Sequence, residues 1–256
     1  MNFRHVFAAV LALTLFMPAC GAAPERDAAA RDAAAKAAFV EANLLAVFYH
    51  ELGHAVIDLL DVPIFGQEED AADVMSVLLI DRFFDEEDAQ EIIYDSAYGF
   101  LSDPDGFDEI AYWDVHGPDE QRYYNHICLF FGAATDVRGS LAEELGLPPD
   151  RAETCPEEHE RAARSWDMIF DEMSGLTFDQ TVVFAGTDTP QDGAANRILA
   201  RAARTLNSDL MLPKEVTLVV TDCGEPNAFY DPETVSITIC REFVPHLENL
   251  YDALSR

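Results

Sequence analysis

The chain predicts an α+β fold, mostly helical with a small β-sheet. Three observations carry that expectation. In the N-terminal third, Phe39, Leu44, Phe48, Leu52 and Val56 recur at helical spacing. In the last third, Glu215–Thr221 (EVTLVVT) and Thr234–Cys240 (TVSITIC) are rich in β-branched residues and read as strands. No internal repeat or composition break separates a second domain in 256 residues that are 49% hydrophobic, enough for a sizeable core.

Taken in order, residues 1–19 read as a targeting segment. Arg4 precedes an apolar run, Val6–Met17, that is too short to span a bilayer. The following Ala19-Cys20-Gly21 resembles a bacterial lipoprotein signal, which implies a lipidated Cys20 as the first mature residue. Cleavage after Ala22 or Ala23 is the alternative. Either route exports the chain, to the periplasm or outer membrane or into the medium. Residues 20–27 read as a tether and 28–256 as a single domain. A helix is expected over Ala28–Leu60, stopped at Asp61-Val62-Pro63 because the residue before a proline leaves the helical region. A second helix, Glu68–Phe84, opens with acids that suit the positive end of its dipole. Further helices are expected at about 86–101, 119–132, 135–145, 151–173, 193–207 and 243–254. Residues 102–118 form a polar loop with Trp113 and His116, Thr181–Ala185 a short strand, and Cys223–Pro232 a turn-rich connection.

Composition excludes some functions. With 48 acidic and 16 basic residues, a net charge of -32 repels nucleic-acid backbones and anionic lipid. The surface reads as a solubility device, with membrane contact only through the lipid anchor. Setting Cys20 aside, four cysteines remain for two disulfides. Proximity suggests Cys128–Cys155 and Cys223–Cys240, among three possible connectivities.

The chemistry sits at the end of the long helix, in His50-Glu51-Leu52-Gly53-His54. Positions i and i+4 share a helix face, so His50 and His54 can present two imidazoles to one zinc ion. Glu51 lies beside them as a base for water activation. A catalytic zinc needs a third protein ligand and an open position. Glu69 is the candidate, with Asp73 one turn on, placed to accept a hydrogen bond from a ligand histidine. Glu68 competes, but has Ala72 four residues on. Gly53 costs about 1 kcal/mol inside a helix, so close approach of another segment should require it. Stabilising an oxyanion calls for a further group. His116 leads over Tyr123, Tyr124 and Tyr230, whose hydroxyls suit packing, while Arg122 reads as the partner of a carboxylate.

His50-Glu51-x-x-His54 followed by Glu69-x-x-Ala72-Asp73 resembles the gluzincin group of zinc metallopeptidases. HELGHAVIDLLDVPIFGQEEDAAD, DEQRYYNHICLFFG and CGEPNAFYDPETVSITICREF together resemble a bacterial metallopeptidase family classed as a domain of unknown function. The resemblance implies a zincin-like fold, Zn2+ held by His50, His54 and Glu69, and a peptide or protein substrate. One departure is that the NAFYDP segment follows the zinc helix here, where such proteins carry it before. This implies a circularly permuted order, with Thr234–Cys240 as the edge strand that binds substrate and helix 243–254 near the start of the long helix. Two rival classes share the motif: a non-catalytic zinc-binding envelope lipoprotein, and a zinc amidase acting on cell-wall material. An open groove favours peptides; a closed pocket favours a small substrate.

Overall fold

The computed structural model describes residues 23–101, 110, 112–177, 181–186 and 193–254. The targeting segment, Cys20 and most of the polar loop lie outside the described residues. The chain divides into two compact units, residues 1–35 and 36–256. Within the first, residues 28–35 are exposed helix. The buried core and the sheet belong to the second unit.

Helix α1 runs Ala23–Leu59 and so starts ahead of the expected Ala28. The alanine-rich stretch favours helix, and Pro24 sits in its first turn, where a missing N–H costs nothing. Beyond Phe39 the helix becomes core. Leu44, Phe48, Tyr49, Leu52 and Val56 have no exposed surface. Helices α2 (Glu68–Phe83) and α3 (Glu86–Gly99) lie against it. Ser76 donates to the Ala46 carbonyl at 2.9 Å, and the Asn43 amide donates to the Asp95 carbonyl at 3.2 Å. Helix α4 (Asp119–Ala133) packs on α2, α3 and α5 (Thr135–Glu144). The expected helix at 151–173 is two pieces, α6 (Pro149–Ala152) and α7 (Cys155–Gly175). The break falls at Glu153–Thr154, where Cys155 restarts the helix while disulfide-bonded to Cys128 on α4. The second pair, Cys223–Cys240, also forms.

The sheet has β1 (Val182–Phe184), β2 (Val216–Thr221), β3 (Ala228–Asp231) and β4 (Ser236–Cys240), in the order β1-β2-β4-β3. Strands β1, β2 and β4 run parallel, and β3 pairs antiparallel with β4. This corrects two expectations. Thr234–Cys240 is an interior strand, and the edge is Ala228–Asp231, within the segment read as turns. Gly, Pro and Asn around it mask a four-residue strand that only its partner stabilises. The hairpin closes through Asp231, which accepts from the Glu233 N–H at 2.9 Å and the Thr234 hydroxyl at 2.7 Å. Val235 takes a positive φ of 51° to complete the turn. Helix α8 (Gly193–Asn207) covers β1 and β2. Helix α9 (Phe243–Leu254) meets α1 at residues 36–39: Lys36 meets Asp252 at 2.5 Å, and the Phe39 and Tyr251 rings are 5.7 Å apart. No helix among the described residues is long and apolar enough to cross a membrane.

Candidate metal centre

Three elements converge at the C-terminal end of α1. The helix presents His50, Glu51 and His54; α2 presents Glu68, Glu69 and Asp73; the segment before α4 presents His116. Gly53 allows α1 and α2 to meet. A Cβ there would lie 2.9 Å from the Cα of Ala72, closer than side chains tolerate. Ala72 in turn separates Glu69 from Asp73. The two motifs are thus halves of one helix crossing, which explains a glycine in a helix interior.

The donor geometry follows from this crossing. His50 Nε2 and His54 Nε2 are 3.2 Å apart. Glu69 Oε2 lies 3.1 Å from the first and 3.3 Å from the second. The opposite ring nitrogens are tied back: His50 Nδ1 donates to Asp73 Oδ1 at 2.7 Å, and His54 Nδ1 donates to Glu68 Oε1 at 2.8 Å. Each Nδ1 is thereby committed to a carboxylate, and both Nε2 atoms face Glu69. Ligands about 2.0–2.1 Å from a tetrahedral zinc ion lie about 3.3–3.4 Å from one another. The observed triangle fits that spacing, so the donor set suits zinc in type and geometry.

Electrostatics agree with such a cluster. Burial pulls the pKa of His50 down, but its bonds to Asp73 and Glu69 outweigh this and lift it to about 9. Burial opposes ionisation of Glu69, yet hydrogen bonds from His116, His50 and His54 hold its carboxyl well below the usual range. Asp73 is likewise held low against burial by Arg122 and then His50. Glu51 is buried and its pKa is raised by desolvation, which His50 and His54 partly offset. A carboxyl pushed upward is a better proton acceptor near neutral pH.

Of the other expected residues, His116 lies in the site: its Nε2 is 3.0 Å from Glu69 Oε2, and Asp114 accepts from its backbone N–H at 2.9 Å. Tyr230 lines the cleft with its hydroxyl donating to Asp58 at 2.8 Å. Tyr123 is away from the site, buried and bonded to the Leu145 carbonyl at 2.9 Å, and Tyr124 packs on it. Two roles escaped the sequence. Glu68, weighed there only as a ligand, holds His54. Arg122, expected to pair with some carboxylate, pairs with Asp73 and stacks over Phe100 at 4.8 Å. Nothing local in the sequence links residues 73 and 122.

The site opens into a cleft of about 890 Å3, walled by α1, by 67–69, by 113–116, and by Asn227 with Ala228–Tyr230 of the edge strand. The Cys240 N–H bonds to the Asn227 carbonyl at 2.9 Å. Antiparallel alternation then turns the backbone groups of Ala228 and Tyr230 away from β4, and the Tyr230 N–H reaches Glu51.

No curated protein and no solved structure matches the chain. A family match does, over residues 20–170 and 192–256, which include the histidine motif, the acidic pair and the edge strand. With most of its length matched around a metal-type site, the chain belongs to the family described as "Putative metallopeptidase".

Proposed function

We propose that this protein is an exported, gluzincin-like zinc peptidase. His50, His54 and Glu69 hold the ion, and Glu51 is the general base. The observation that carries this is the donor triangle of 3.1, 3.2 and 3.3 Å with both Nδ1 atoms tied away. Zinc there would supply a Lewis acid that makes water nucleophilic at neutral pH. Glu51 takes the proton of the attacking water and hands it to the leaving amine. With Glu69 engaged by the ion, His116 Nε2 is released from it to donate to the oxyanion as it develops. Asp73 and Glu68 orient the two histidines. The substrate lies extended along Ala228–Tyr230, which takes the role expected of Thr234–Cys240, by adding a strand to the open edge. The open cleft supports a peptide over a small cell-wall fragment. Two disulfides fit an oxidising compartment and support export, with Cys20 as the lipid anchor.

The test measures bound zinc and peptide cleavage for the wild-type protein and for Glu51→Gln. Zinc retained with cleavage lost supports the reading. A wild-type protein that binds no zinc at micromolar free metal would end it. Glu69→Ala should lose zinc, while Glu68→Ala should weaken it only partially.

A further inference from the structure

The cleft carries acids and exposed apolar groups together, and they are not equally free. Each acid lining it is already engaged. Glu51 and Glu69 belong to the centre, Glu68 holds His54, Asp114 holds His116, and Asp58 accepts from Tyr230. The apolar lining has no such partners. Trp113 is 84% exposed, Val115 63% and Phe229 42%, although large apolar side chains normally bury. They come from two separate elements that border the same cleft, Trp113 and Val115 on one wall and Phe229 on the edge strand. Exposed apolar groups flanking a polar reacting centre mark a recognition surface. An extended chain added to the edge at Ala228–Tyr230 places alternate side chains against these walls.

We propose that the cleft selects extended peptides carrying a large apolar or aromatic side chain next to the scissile bond, gripped between Trp113 with Val115 and Phe229. This rests on the peptide-hydrolysis reading above. It differs from the preference for cationic peptides that a net charge of -32 would also allow. The acids of the cleft are committed to the histidines and to Tyr230, and apart from Gln67 and Asn227 the rest of the lining is apolar.

The experiment has two arms. In the first, the zinc-loaded protein is given quenched fluorescent peptides that differ at one guest position, as Phe, Leu, Ser, Lys or Glu. Phe and Leu should exceed Ser and Lys in kcat/KM by at least about 10-fold. Trp113→Ala should shrink that discrimination toward unity, and Trp113→Phe should restore it. In the second, the same peptides with a single dye are bound to Glu51→Gln and followed by anisotropy, which needs no turnover. If nothing is cleaved, the peptidase reading fails, and the binding arm alone decides this inference. Equal affinity for Phe and Ser guests, or tighter binding of Lys, overturns it.

Discussion

Arg122 grips Asp73 with two hydrogen bonds, Nε to Oδ2 and Nη2 to Oδ1, both 2.8 Å. The same Asp73 oxygen that meets Nη2 accepts from His50 Nδ1 at 2.7 Å. A guanidinium from α4 therefore fixes the carboxylate that fixes a metal-type histidine. Losing such a partner typically costs about 10–100-fold in metal affinity. Arg122→Met should weaken zinc binding by that order, measured by competition with a chelator. Because both residues act through His50, Arg122→Met should add little in an Asp73→Asn background. Additive losses would mean that Arg122 acts by another route.

Gly53 and Gly139 give a paired test. A Cβ at Gly53 meets the Ala72 backbone, whereas one at Gly139 meets nothing within 4 Å. Gly53→Ala must push α1 from α2, at about 1–3 kcal/mol, and should spread the donor triangle so that zinc affinity falls as well. Gly139→Ala, inside α5, should raise stability by up to about 1 kcal/mol. Thermal melts of the two variants should move in opposite directions.

His126 gives the fold an acid-sensitive element. It is buried, paired with the Ser96 hydroxyl at 2.9 Å, and burial depresses its pKa to about 4. The nearest charges, Asp73 and Arg122, pull in opposite directions. In the unfolded chain the ring takes a proton near pH 6.5. Between these values the unfolded state binds more protons, so stability falls as pH drops from about 6.5 to 4, and this group adds no further loss below that. Its full contribution is about 3 kcal/mol. Urea unfolding at pH 7 and pH 4.5 should show a smaller difference for His126→Gln than for the wild-type chain.

The edge strand is tied at one end by Cys223–Cys240, and Glu242 accepts from the Cys223 and Gly224 N–H groups at 3.1 and 2.7 Å. Replacing both cysteines by serine should cost about 3 kcal/mol in unfolding free energy. Amide exchange should accelerate first at 228–231, which pairs on one side only.

Much of the centre was legible because helical spacing is local. His50, Glu51 and His54 share a face whatever surrounds them, and Glu69 to Asp73 is again one turn. Gly53 announced a close approach without naming Ala72. The edge strand was not legible. Ala228–Asp231 is four residues with turn formers at both ends, and its state depends on β4.

By itself, then, the sequence located most of the helices, showed which imidazoles share a face and suggested a pairing of the cysteines. Each of these rests on short-range periodicity or proximity along the chain. The tertiary structure decided the rest: that Glu69 closes the triangle while Glu68 holds His54, that Arg122 reaches Asp73, and that β3 rather than β4 borders the cleft. Those outcomes depend on how helices cross and strands pair, contacts between residues tens of positions apart that no local pattern encodes.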